Sequence, residues 1–182
     1  MDHHDHVNLI RPAQPAPGGS WADLGAGSGA FTLALRELVG AQASIYAVDR
    51  DKARLGELER AWRLRFGDTT NLHLLPADFT HPLDLPVLDG VLMANSLHFY
   101  KDKVRLLRQA STLLKPGGRL LVVEYAVDVG NVWVPYPFSF EKFQILATSA
   151  GFDMPRLLTT HPSSFLRGFY SAEAVPNTKD TT

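Results

Sequence analysis

Residues 20–29, Ser-Trp-Ala-Asp-Leu-Gly-Ala-Gly-Ser-Gly, constrain the fold more than any other part of the chain. Trp21, Ala22 and Leu24 make the short apolar run of a buried strand, Gly25, Gly27 and Gly29 interrupt it, and residues 30–35 resume with helix formers. A strand that runs through a glycine loop into a helix aims unpaired helix N–H groups at whatever lies on the loop. Glycine, lacking a Cβ, also lets a ligand approach the backbone. The order of these elements therefore predicts a cofactor loop.

The remainder of the chain alternates strand and helix. Residues 43–48 form a β-rich run ending at Asp49, and residues 50–66 place Leu55, Leu58, Trp62 and Phe66 at helical spacing among charges. Residues 71–75 read as a third strand and residues 87–94 as a fourth, buried on both faces, with a polar, proline-containing loop between them. Val104, Leu107, Ala110 and Leu114 share a helical face that stops at Lys115-Pro116-Gly117-Gly118, and residues 119–126 follow as a fifth strand. Such alternation calls for parallel pairing through right-handed crossovers, with helices on both faces of the sheet. A helix over 139–151 is then followed by two consecutive strands, 157–160 and 165–172, whose short link forces antiparallel pairing. The expected fold is α/β: a doubly wound, mostly parallel, seven-stranded sheet with an antiparallel edge strand. Residues 1–19 read as an arm outside the core, 20–172 as one domain and 173–182 as a polar, disordered tail.

Composition narrows the function. With 182 residues the chain suffices for one domain with a full core, and the absence of cysteine excludes disulfides, thiolate metal sites and cysteine nucleophiles. No apolar run approaches the roughly 20 residues that span a bilayer, so a cytoplasmic protein with no membrane partner is expected. A net charge of −1 argues against nucleic acid, and Arg50, Lys52, Arg54, Arg60, Arg63 and Arg65 alternate with acids as on a solvated helix face. His3, His4 and His6 sit on the arm without fixed ligand geometry, and no metal site is expected from them.

Gly25-x-Gly27-x-x-Ala30 with Asp49 at the end of the second strand satisfies the dinucleotide fingerprint, and alone it admits a nicotinamide oxidoreductase. Asp23 and the third glycine at Gly29 turn the loop into D-L-G-A-G-S-G, which resembles motif I of the class I S-adenosylmethionine-dependent methyltransferases. A-V-D-R at 47–50, P-A-D-F at 76–79, L-D-G-V-L-M-A-N-S-L-H-F-Y at 88–100, L-K-P-G-G at 114–118 and F-x-x-L-x-x-x-A-G-F at 143–152 are similar to that family's later motifs, in order. The resemblance covers residues 20 to about 172 and implies a Rossmann-like methyltransferase fold with S-adenosylmethionine as cofactor and S-adenosylhomocysteine as product. It implies that Asp23, Gly25, Ala26, Gly27 and Gly29 form the loop at the methionine end, that Asp49, with Arg50, meets the ribose, and that Ala77, Asp78 and Phe79 meet the adenine. Asn95 and Ser96, after the fourth strand, complete the cofactor-binding set. Each acid also has a plain local use: Asp49 as a helix N-cap, Asp78 as a turn residue, Asp23 as a brace for the loop.

Methyl transfer from an activated sulfonium needs mainly alignment of the acceptor. A base is required only where the acceptor loses a proton, and open α/β sheets bind ligands at strand C-termini, which points to Asn95, Ser96, His98, Tyr100, Glu124 and Tyr125. His98 is the candidate base on intrinsic pKa, and Tyr100 the second catalytic candidate. Asn95-Ser96-Leu97-His98 departs from the Asn/Asp-Pro-Pro-aromatic pattern of enzymes that methylate exocyclic or amide nitrogens, and the missing cysteines remove the thiolate chemistry expected for arsenic. The expected acceptor is a small molecule with an O, N or C nucleophile; the competing reading is a catalytically silent cofactor-binding or partner-binding module. Relatives of this kind often build a lid from helices ahead of motif I or from a later insertion; with 19 residues ahead of Ser20 and no long insertion, the acceptor pocket is expected to be open, or covered by the arm, a second copy in a homodimer, or the aromatic segment 128–138.

Overall fold

The computed structural model describes residues 1–163 and 165–177. Among the described residues, five α-helices flank one seven-stranded sheet: α1 (His3–Ile10), β1 (Ser20–Leu24), α2 (Ala30–Val39), β2 (Ser44–Asp49), α3 (Lys52–Phe66), β3 (Leu72–Pro76), β4 (Leu88–Ala94), α4 (Lys103–Thr112), β5 (Leu114–Tyr125), α5 (Phe140–Ser149), β6 (Arg156–His161) and β7 (Phe169–Ala174). The strand order is β3-β2-β1-β4-β5-β7-β6. β1 to β5 pair in parallel, and β7 runs antiparallel to both β5 and β6. The final hairpin thus builds the far edge, and its second strand takes the inner place beside β5.

The chain order reverses between β1 and β4, so their C-terminal ends open the crevice in which α/β sheets hold ligands. Apolar side chains pack on both sheet faces. One layer joins α1, α2 and α3 through Val7, Leu35, Leu58 and Trp62; the other joins α4 and α5 through Leu107, Phe143 and Ala147. β1 and β4 are buried along almost their whole length, which is why they read as continuous apolar runs rather than alternating ones. No helix among the described residues is long and apolar enough to cross a membrane.

Several expectations change. Residues 3–10 are not a detached arm. Asp2 and Asp5 form a capping box, and Val7, Leu9 and Ile10 are buried in the layer shared with α2. His3 bonds Glu37 at 2.8 Å and the His6 ring lies 4.7 Å from that of Phe31, so two of the three histidines dock α1 on α2. A helix of eight residues is too short to display a period, and its polar residues masked the buried trio. The helix expected from Arg50 starts at Lys52, with Asp51 as its cap. β5 begins at Leu114, pairing with Leu88 before a register shift at the L-K-P-G-G turn. β7 extends to Ala174, and of the expected tail only residues 178–182 lie outside the described residues.

Candidate active site

A cavity of about 510 Å³ opens at the C-terminal ends of β1, β2, β3 and β4. Its wall includes Gly25, Gly27, Asp49, Arg50, Ala77, Asp78, Phe79, Asn95, Ser96 and Tyr100, ten residues singled out in the sequence and drawn from four separate segments. Asp51, Arg54 and Phe99 join them. The basic cluster therefore does not face solvent uniformly: Arg50 and Arg54 line the cavity, whereas Arg63 and Arg65 pair with Glu59 and Glu37. Helix periodicity could have flagged Arg54, one turn into α3 on the side of the glycine loop.

The glycine loop divides its labour. Gly27 has φ +55°, and a Cβ there would meet only Arg54 Nη1 at 3.6 Å, so this backbone lies open to a ligand. Gly29 has φ +90°, and a Cβ would fall 2.1 Å from Leu58 Cδ1. It is where the start of α2 packs closely against α3, and it does not line the cavity. Ala26 likewise stays out of the wall, its N–H bonded to the Val48 carbonyl at 3.0 Å.

The acids separate in the same way. Asp49 Oδ2 accepts the Gly27 N–H at 2.7 Å and Oδ1 accepts the Asp51 N–H at 2.9 Å. The N-cap of α3 is Asp51, whose Oδ1 accepts from Ala53 and Arg54, so the capping reading of Asp49 fails. Asp78 does serve its turn, accepting the Thr80 N–H at 2.9 Å, and that bond holds its carboxyl below the usual range. Asp23 lies behind the loop, 1% exposed, and accepts the Thr32 hydroxyl at 2.6 Å, tying β1 to the first turn of α2. Burial, opposed by the Thr32 bond and reinforced by the charge of Asp49, pushes its pKa up to about 7.

Beyond β4 the chain turns sharply at Asn95, which has φ +52°, a left-handed conformation that asparagine tolerates better than most residues. A one-turn 3₁₀ segment, Leu97–Phe99, then carries His98 and Phe99 past the end of β5. Glu124, fully buried, accepts Leu97 N–H at 2.9 Å and His98 N–H at 3.2 Å on Oε1, and meets His98 Nδ1 at 2.7 Å on Oε2. An ionised carboxylate only accepts, so His98 donates from Nδ1, leaving Nε2 as its basic nitrogen. The His98 side chain is 4% exposed and lies beside the cavity wall, not in it. Tyr100 is in the wall, edge-on to Phe79 with ring centroids 5.4 Å apart. Burial and the negative charge of Asp78 raise its phenol pKa, keeping it a protonated donor.

The residues present suit S-adenosylmethionine. Gly27 leaves a cradle at the loop, Gly25 lets Ser96 and Phe79 pack close against the backbone, and Asn95 Oδ1 and Ser96 Oγ are buried without a hydrogen-bond partner among the described residues. Buried polar atoms in that condition call for a ligand or water.

A family model described as a methyltransferase domain matches residues 22–120, more than half of the chain. The chain belongs to the methyltransferase family. It is of the class I, S-adenosylmethionine-dependent kind that its ordered motifs implied. This methyltransferase is 28% identical over 130 residues to the ubiquinone/menaquinone biosynthesis C-methyltransferase UbiE of Haemophilus ducreyi, covering 71% of the chain and 49% of the relative. It is 31% identical over 163 residues to the arsenite methyltransferase of Aquipseudomonas alcaligenes, covering 78% and 46%. The chain spans about half the length of the curated relatives it matches. In fold it is similar to mitomycin 7-O-methyltransferase (TM-score 0.72, 21% identity, 94% of this chain and 53% of that one). It is also similar to the magnesium protoporphyrin IX methyltransferase of Synechocystis PCC 6803, solved with bound SAM (TM-score 0.71, 18% identity, 96% and 78%).

Proposed function

We propose that this methyltransferase transfers a methyl group from S-adenosylmethionine to a small-molecule acceptor presented beside Phe99 and His98. The observation that carries the reading is the cavity wall, in which the glycine loop, Asp49, Asp78 and Asn95 meet from four segments at the strand C-termini. When bound, the cofactor supplies a methyl group already activated on a positively charged sulfur. Gly25, Gly27 and the Asn95–Ser96 turn would hold its methionine end, Asp49 its ribose hydroxyls, and Asp78 with Phe79 its adenine.

The protein's own work is then alignment. It holds the acceptor in line and excludes water, which lowers the barrier by removing the entropy of encounter. Where the acceptor nucleophile carries a proton, His98 Nε2 receives it, with Glu124 steadying the imidazolium through Nδ1. Tyr100 keeps its proton and serves as a hydrogen-bond donor on the cofactor side. The small-molecule class draws support from the UbiE relatives, which are named for quinone biosynthesis, and from the relative named an arsenite methyltransferase, while this chain has no cysteine to hold arsenic as a thiolate. Incubation with a metabolite pool and methyl-labelled S-adenosylmethionine, followed by mass spectrometry, tests the reading. A labelled small molecule is expected, and failure of the protein to bind either cofactor form in calorimetry would sink it.

The burial of His98 favours one competing reading, a cofactor-binding module without turnover. Label transfer to any acceptor rejects it.

A further inference from the structure

Lys103 occupies a place that helix physics disfavours for a cation. It is the first residue of α4, at a helix terminus that is already positive, and it is 5% exposed. Burial lowers its ammonium pKa, against the pull of Glu124 and with a further push from Lys142. A methionine would fill the same slot without desolvating a charge. What the ammonium adds is a set of contacts no apolar chain supplies. Nζ donates to the Tyr100 carbonyl at 2.6 Å and stands 5.1 Å from the Phe138 ring centroid and 5.8 Å from that of Tyr136.

Those partners belong to two different walls. Tyr100 closes the turn 97–100 that lines the cofactor cavity; Tyr136 and Phe138 lie in the loop between β5 and α5. The loop is firmly built at its base. Asn131 Oδ1 accepts from Trp133 and Val134 N–H groups at 2.9 Å, Asp128 Oδ1 accepts the Ser139 N–H at 2.9 Å, and Val134 and Phe138 are buried. Its tip is apolar and open, with Val132 90% and Trp133 75% exposed. Turn and loop also meet where the Tyr136 N–H donates to the His98 carbonyl at 2.9 Å, and Lys101, next to the turn, sets its Nζ 5.3 Å from the Tyr136 ring centroid.

We infer that Lys103 is a positioning residue that clamps the 128–138 loop to the turn bearing His98, Phe99 and Tyr100, and so sets the acceptor-side wall of the site. The acceptor's place at this wall rests on the methyl-transfer reading; the clamp itself does not. Without the Lys103 ammonium the Tyr136–His98 bond and the Lys101 contact with Tyr136 remain, but the two walls lose the buried cation that bridges the Tyr100 carbonyl and the Phe138 ring.

Hydrogen exchange on the full chain tests this. Lys103→Met is expected to speed exchange of the Trp133, Val134 and Tyr136 amides by about tenfold or more, while β1 and β4 amides and S-adenosylhomocysteine affinity stay within about threefold. Lys103→Arg, which keeps a cation over the rings, should restore most of the loop's protection. With an acceptor found by label transfer, Lys103→Met should raise its KM by about tenfold and leave kcat within about threefold. Unchanged loop exchange overturns the inference, and so does equal acceleration in β1, β4 and the loop, which would make Lys103 a stability residue. Should Lys103→Met fail to fold, Tyr136→Leu, at a half-exposed position, must give the same loop-specific acceleration at Trp133 and Val134. Absence of turnover in the unmodified protein would count against the methyl-transfer reading alone, since the exchange pattern is read independently of activity.

Discussion

The Asp49 carboxylate accepts the Gly27 N–H at 2.7 Å, joining the end of β2 to the glycine loop after β1 across 22 residues of sequence. One side chain thereby shapes the loop and faces the cavity. Replacing it removes both effects, whereas replacing its neighbour Asp51 removes a helix cap. Asp49→Ala should weaken S-adenosylhomocysteine binding by about 30-fold or more, the worth of a charge-assisted hydrogen bond pair. Asp51→Ala should cost about 1 kcal/mol of stability and change affinity much less. Calorimetric titration and thermal melts on the two variants check the contrast.

The two glycines of the loop should respond in opposite ways. Gly29→Ala drives a Cβ into Leu58 at a positive φ, and a loss of about 2 kcal/mol or more is expected, read as a depressed unfolding midpoint. Gly27→Ala meets only the end of a flexible arginine, so about 1 kcal/mol of backbone strain is expected. Its larger effect should fall on cofactor affinity, because the added methyl group stands in the cradle.

What the sequence made legible follows from how each signal is carried. Strand and helix alternation is a local pattern and appears where it was expected, apart from the 115–118 stretch that β5 absorbs, and the acids at 49 and 78 line the cavity. The N-terminal helix escaped because its apolar trio is meaningful only once α2 and β6 lie beside it. The split between Gly27 and Gly29 escaped for a related reason: one leaves the cavity open and the other makes room for Leu58, and spacing alone treats them alike. Arg54 reads as part of a solvated face when charge alternation alone is followed, because α3 carries charges on several sides; its spacing from Leu58, one turn on, is what sets it on the side of the glycine loop.

Asp23 gives the fold a pH signature. Its unfolded carboxyl titrates at about 3.8 and its folded one at about 7, so the folded state holds the proton more tightly. The stabilisation is complete below pH 3.8 and is lost as pH rises through about 7, at most about 4 kcal/mol for a displacement of this size. Asp23→Asn is neutral throughout and should flatten this dependence. Urea unfolding between about pH 5 and pH 8 is expected to show the unmodified protein losing stability relative to the variant as pH rises. Parallel curves would mean that Asp23 titrates normally.

Glu124 offers a sharper test of His98 than removal of the histidine. Glu124→Gln retains an oxygen for the Leu97 and His98 N–H groups, so the turn keeps its brace. The amide's other arm is a donor, however, and a donor facing Nδ1 forces the imidazole proton onto Nε2. A base whose only free nitrogen already carries a proton cannot accept another. If His98 takes the acceptor proton, Glu124→Gln should lower kcat by about 100-fold while S-adenosylhomocysteine affinity stays within about threefold, and His98→Ala should do the same. Both are read by label transfer at saturating acceptor. Loss of activity in His98→Ala with full activity in Glu124→Gln would assign His98 to packing of the turn, and full activity in both would leave alignment alone to account for the reaction.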